Sequence, residues 1–216
     1  MRRDLYKLAK NLKVLKENLA SEEVEDLAKS LETSETKTPF VKDLLDENDQ
    51  MNHQHDTAKD GLKAMLAYIR AMQSWFHGAH HVTGGEGFAG DHVDLYTKIY
   101  DGLSDHFDAT AEKAIGLTDE SVACPIETLQ NASKIISKFR SPCDLSAVEI
   151  ARNGLGIILK FLKFLDTLYS NLDKTGQLTL GLDDFIMAMA NDLETYVYLL
   201  KQRSTDAKSG DKKSKV

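Results

Sequence analysis

Two groups of side chains in this sequence have the types and spacing to do chemistry. The first is a run of imidazoles: His77, His80, His81 and His92 hold four of the chain's 7 histidines. The second is a run of carboxylates just after it: Asp94, Asp101, Asp105, Asp108 and Glu112. From Asp101 the steps are four, three and four, which places these acids on one face of a helix. At 100° per residue Asp94 falls on that face too. Like charges one helical turn apart repel, so the row is either a solvated face or the lining of a cation site. Imidazole together with carboxylate suits iron, manganese or zinc. The two cysteines, Cys124 and Cys143, lie away from these residues, which argues against a structural zinc site.

The elements that must position these residues are long helices. One is expected over about 57–81, with Leu62, Leu66, Ile69, Gln73, Phe76 and His80 on one side. Thr83-Gly84-Gly85-Glu86-Gly87 breaks it. A second spans about 89–116, with Tyr96, Tyr100, Leu103, Phe107 and Ala111 as its apolar stripe. A short helix follows Pro125, over about 126–138. A third long helix covers about 146–172, and Ser146 with Glu149 has the spacing of a capping box. It has two stripes: Val148, Ala151, Leu155, Ile158, Leu162 and Leu165, and Ile150, Gly154, Ile157, Phe161, Phe164 and Leu168. A helix apolar on two sides belongs inside a bundle or at a subunit contact. The fourth spans about 182–202, with Ile186, Ala190, Leu193, Val197 and Leu200. Four long helices with one short helix between the second and third predict an all-α four-helix bundle.

The ends differ from this middle. Residues 1–50 read as a helical N-terminal extension whose first helix has a stripe of Leu5, Leu8, Leu12, Leu15 and Leu19. The polar stretch 47–57 reads as a linker, the bundle as 51–203, and 204–216 as a flexible lysine-rich tail. With 216 residues, 42% of them apolar, the chain can bury a core, and one domain plus an extension fits its length. A net charge of −7 argues against nucleic-acid binding by the whole surface, though not by a local basic tail. No apolar stretch reaches the ~18 residues needed to span a bilayer. The first residues lack the apolar core of a signal peptide, and the cysteines form no disulfide framework. The expected setting is cytoplasmic.

The histidine string resembles a known family. His77-x-x-His80-x-x-x-x-Gly85-x-x-Phe88-x-x-x-His92 is similar to the HNYHWN…G..F…H signature of the Dps-type mini-ferritins. Asp105-His106-Phe107-Asp108-Ala109-Thr110-Ala111-Glu112-Lys113-Ala114 resembles that family's DHIDEIAER motif, and the last helix resembles the family's last helix. The likeness covers about 57–204. It implies a ferritin-like bundle assembled into a cage of twelve subunits. It also implies ferroxidase activity: ferrous iron is oxidised by peroxide or oxygen and stored as ferric iron, and DNA is protected from oxidants. By motif, the implied iron ligands are His80 and His92 from one chain, with Asp108 and Glu112 from the facing chain. His81, Asp94, Asp105 and Trp75 are possible additional ligands or supporting residues. His77 and His106 read as structural or supporting, and Trp75 and Phe76 as core, although this family often keeps a Trp beside its site.

Three departures accompany the resemblance. The tryptophan usually after the first histidine is His81 here. The acid usually one turn after the second histidine is Tyr96, which cannot bridge iron as a carboxylate does. The interval from His92 to Asp108 is one residue longer than the family's, and a regular helix would then turn His92 away from the acids unless a local bulge absorbs the residue. The alternative reading is therefore a Dps-like structural or interaction protein, for example part of a larger assembly, that has lost ferroxidase activity. The N-terminal extension can pack on the cage, dock to a protein partner or touch an anionic surface, and docking to a partner is the expected role. In some members of this family a lysine-rich tail holds DNA. The corresponding residues here are Lys208, Lys212, Lys213 and Lys215, with a merely solubilising tail as the other reading.

Overall fold

A computed structural model describes residues 57–85 and 87–205. The expected N-terminal extension (1–50), the linker before Thr57, and Lys208, Lys212, Lys213 and Lys215 lie outside the described residues.

Five α-helices account for most of the described chain: α1 (Thr57–Val82), α2 (Lys98–Leu117), α3 (Pro125–Ile136), α4 (Ala147–Lys174) and α5 (Leu180–Ser204). A π-helical segment, Gly90–Thr97, leads directly into α2. Local chemistry explains several boundaries. Pro125 takes the first turn of α3, where its missing N–H costs nothing. The capping box of α4 forms as expected: Ser146 Oγ accepts from Glu149 N–H, and a Glu149 carboxylate oxygen accepts from Ser146 N–H at 2.9 Å. Thr179 Oγ1 accepts from Leu182 N–H at 3.1 Å at the start of α5.

Cross-helix contacts give the topology. Phe107 of α2 lies under the Arg70 guanidinium of α1 at 3.9 Å, while His92 lies beside His80, so the chain reverses between α1 and α2. Gly154 and Phe76 meet near one end of the α1–α4 contact and Leu168 and Gly61 near the other, so α4 runs opposite to α1. Consequently α2 and α4 run the same way. Their connection must cross the length of the bundle, and α3 lies within it. The hydroxyl of Tyr169 donates to Asp183 Oδ1 at 2.9 Å, which places the end of α4 beside the start of α5. This is the four-helix arrangement with a short intervening helix that the periodicity predicts.

The core sits between α1 and α4. Leu62, Met65, Leu66, Ile69, Met72 and Phe76 of α1 are fully buried. Tyr68 packs its ring on Phe161 and Phe164, with centroids 5.0 and 5.8 Å away. A Cβ on Gly154 would stand 2.8 Å from a Phe76 ring carbon, so glycine here permits the close approach of α4 to α1. Both stripes of α4 are buried within the chain, except for half-buried Val148. The helix spends its two-sided apolar character against α1 and α5. The α5 stripe of Ile186, Ala190, Leu193, Val197 and Leu200 is buried as expected.

The second helix differs from expectation. Its buried residues are Leu95, Tyr96, Ile99, Leu103, Thr110 and Ala114, whereas Tyr100, Phe107 and Ala111 are half-buried. The Arg70 guanidinium covers one face of Phe107 at the edge of the core. Thr110 takes a core position because its hydroxyl donates to the His106 carbonyl at 2.6 Å.

Candidate metal centre

Where α1 ends, the chain turns through Gly85 and Gly87, whose φ values are 77° and 84°, a region that side chains disfavour. The turn lays the π segment back along the last turn of α1 and brings His80 against His92. The two rings stack with centroids 3.7 Å apart. His80 Nδ1 is 2.9 Å from the His92 carbonyl oxygen, and His92 Nδ1 is 2.9 Å from the His80 carbonyl oxygen. A carbonyl only accepts, so both Nδ1 atoms must be the protonated ring nitrogens. The reciprocal bonds therefore fix one tautomer in both rings and leave both Nε2 atoms as free lone-pair donors. Holding a ligating imidazole through its other nitrogen is how proteins orient and tune metal-binding histidines. Thr97 reinforces the arrangement by donating to the His92 carbonyl at 2.6 Å. Phe88 covers the other side of His92, at 4.7 Å between ring centroids.

The π geometry bears on the register. A π turn takes one more residue than an α turn, which is the local bulge that the longer interval from His92 to Asp108 calls for. The same geometry invalidates the 100° arithmetic that aligns Asp94 with Asp101, because Asp94 lies inside the π segment.

An ion pair anchors this segment to the far end of the chain. Asp91, 3% exposed, receives a hydrogen bond from Arg203 Nε of α5 at 2.6 Å. That bond holds the Arg203 guanidinium further toward its charged form. Beside the pair lies Tyr96, which is fully buried. Burial raises the pKa of its phenol, and the Asp91 charge raises it further. Tyr96 Oη, Asp91 Oδ2 and Thr83 Oγ1 are buried without a hydrogen-bond partner among the described residues. At the position where the resemblance implies a carboxylate, this chain has a neutral phenol facing inward. It cannot supply the missing acid.

The acids of α2 stand elsewhere. Asp101, Asp105, Asp108 and Glu112 are all exposed. The Tyr196 hydroxyl of α5 donates to the Lys98 carbonyl at 3.3 Å, and its pKa is raised by burial and then by Asp192, Asp105 and Asp101. The first two acids of the row thus share an acidic neighbourhood with α5. His106 lies with its Nε2 3.5 Å from an Asp192 carboxylate oxygen, while burial lowers its pKa. Sixteen residues separate His92 from Asp108, on the order of 20 Å along the helix, so one chain cannot bring both to one ion. Among the described residues no three His, Cys, Asp or Glu side chains of a single chain are placed to hold a metal ion. One chain presents two half-sets, an imidazole pair at one end of the bundle and carboxylates further along.

The remaining site residues are placed as follows. Trp75 is 3% exposed, donates its indole N–H to the Arg140 carbonyl at 2.8 Å and meets Phe76 edge-on at 5.0 Å. That is a satisfied core residue. His81 and His77 are exposed, with their Nε2 atoms 3.1 Å apart. Sequence reasoning gave His77 only a supporting place, although its four-residue step to His81 was visible. It missed the Asp91–Arg203 pair, for which no local pattern exists.

No family model matches this chain, and no curated protein matches it. Solved structures do. A Dps protein from Bacillus brevis matches with a TM-score of 0.58 and 19% identity, over 67% of this chain and 93% of that one. Dps from Listeria monocytogenes matches with a TM-score of 0.59 and 18% identity, over 71% of this chain and 95% of that one. A Dps protein from Vibrio cholerae O1, described as a member of a broad superfamily of ferritin-like diiron-carboxylate proteins, matches with a TM-score of 0.55 and 16% identity, over 72% and 98%. The chain has the all-α, ferritin-like fold of the Dps-type mini-ferritins.

Proposed function

We propose that this bundle acts as a mini-ferritin: it binds ferrous iron at contacts between copies of the chain and oxidises it with peroxide or oxygen. The observation that supports this reading is the reciprocal pair of hydrogen bonds between His80 and His92. Two imidazoles with their Nδ1–H groups occupied and their Nε2 lone pairs free suit a borderline cation such as Fe²⁺. Asp108 and Glu112, exposed on α2 and too distant within one chain, would come from a second copy. A twofold contact makes such an exchange reciprocal, so each pair of chains would hold two sites. A homo-oligomer, with a dodecamer as the specific form, follows from this reading. In the reaction two ferrous ions give up one electron each, and a peroxide accepts both as its O–O bond breaks to leave two hydroxides. The protein's part is to hold iron between imidazole and carboxylate, and to keep single-electron peroxide cleavage from releasing radicals. Storage of the ferric product and protection of DNA would follow, with Lys208, Lys212, Lys213 and Lys215 as the basic residues for phosphate contact. We place the protein in the cytoplasm, on its free cysteines. Among the described residues no helix is long and apolar enough to cross a membrane.

The test is ferrous oxidation followed by ferric absorbance, with peroxide and oxygen supplied in separate runs, beside a His80→Ala, Asp108→Ala variant. Rapid oxidation that the variant loses is the expected result. Oxidation no faster than buffer, from protein with the native assembly mass, would overturn the reading. One observation favours a second reading, a Dps-like scaffold without the chemistry: Tyr96 is buried and neutral where the resemblance implies an acid. That scaffold would interact through its N-terminal extension, and the same experiment separates the two.

A further inference from the structure

The exposed pair His77 and His81 lies outside the ligand set just described. Both side chains are on the last turns of α1, four residues apart and therefore on one face. Their Nε2 atoms are 3.1 Å apart. In the absence of a cation, one ring's N–H can donate to the other's lone pair. The same separation is also the bite of a two-imidazole chelate. With metal–nitrogen bonds of about 2.0–2.1 Å, an ion bound by both nitrogens would subtend an angle of about 100°. That lies between the square-planar and tetrahedral values.

We propose that His77 and His81 chelate a divalent cation of the zinc, copper or nickel class, as a site distinct from the His80–His92 pair. Helix-borne histidines at this spacing are the arrangement that binds zinc in His-Glu-x-x-His motifs. The donor set is two neutral imidazoles with no carboxylate among the described residues to complete it. Such a set favours later first-row metals over magnesium, calcium or manganese, which prefer oxygen. Exposure of both rings leaves the remaining coordination positions to water, and Tyr100 backs the site, with its ring 4.8 Å from that of His77. The two histidine pairs are held differently. His80 and His92 are tied through Nδ1 to backbone carbonyls, whereas His77 and His81 meet each other through Nε2. The proposal does not depend on the ferroxidase reading. It does place a second cation beside the His80 ring, whose centroid is 4.9 Å from that of His81.

Zinc titration of the metal-free intact assembly by calorimetry tests this, using wild type, His77→Ala, His81→Ala, and a His80→Ala, His92→Ala variant, each checked for helicity. The expected result is about one Zn²⁺ per chain, in addition to any held by the His80–His92 centre, that persists in the His80, His92 variant. Its affinity should fall at least tenfold in each of the His77 and His81 variants, because a chelate that loses one arm becomes a single-ligand contact. Because both residues are exposed, their substitution leaves the core intact. Three outcomes would overturn the proposal: no saturable zinc binding in wild type, binding that the His77 and His81 variants leave unchanged, or binding that disappears with His80 and His92.

Discussion

At the scale of residues, the candidate centre depends on who satisfies whom. His80 and His92 each use one ring nitrogen on the other's backbone, and that leaves one lone pair per ring with a set direction. Asp91 and Arg203 do something different, holding the strand of chain that bears His92 against the end of α5. Arg203→Ala would leave a carboxylate that is 3% exposed without its partner, at a cost of about 2–4 kcal/mol, reduced from a fully buried pair because Arg203 is partly solvated. Chemical denaturation of the variant should show this as a lower midpoint, with Arg203→Lys intermediate. An unchanged midpoint would mean that the pair is not holding the segment. The histidines were legible in the sequence because type and spacing agreed. The ion pair was not, since its members are 112 positions apart and nothing local marks either of them.

At the scale of elements, the four long helices and the short one between them were legible because apolar side chains recur at three- and four-residue steps over long stretches. What that template could not supply is the π segment. It assumes 100° per residue throughout, and it therefore aligned Asp94 with the acid row. The one-residue-longer interval between His92 and Asp108 was the available signal. Deletion of Val93, which is 56% exposed, would return Gly90–Thr97 toward α-helical register without opening the core. The extra residue and the bulge that absorbs it would go together, so His92 should keep its place relative to α2 and the His80 carbonyl. Nitrogen NMR of the imidazoles should show the fixed Nδ1–H tautomers retained, and ferrous oxidation should stay near the wild-type rate. Loss of the tautomers and of oxidation would show that the bulge does more than absorb the longer interval.

At the scale of the whole molecule, the arrangement is one of halves. A bundle whose α4 spends both apolar faces internally folds around its own core, while its imidazole pair and its carboxylates remain at separate places on the surface. The central claim is that the site exists only where two copies exchange these halves. Co-assembly tests it directly. A His80→Ala, His92→Ala chain lacks one half-set and an Asp108→Ala, Glu112→Ala chain lacks the other, so assemblies of either alone should oxidise ferrous iron no faster than buffer. When the two are unfolded together and reassembled at equal ratio, random twofold pairing makes half of the contacts mixed. Each mixed contact restores one of its two sites, so the mixture should recover about a quarter of the wild-type rate. A mixture that reaches native mass and stays at the level of its parents would contradict the shared site.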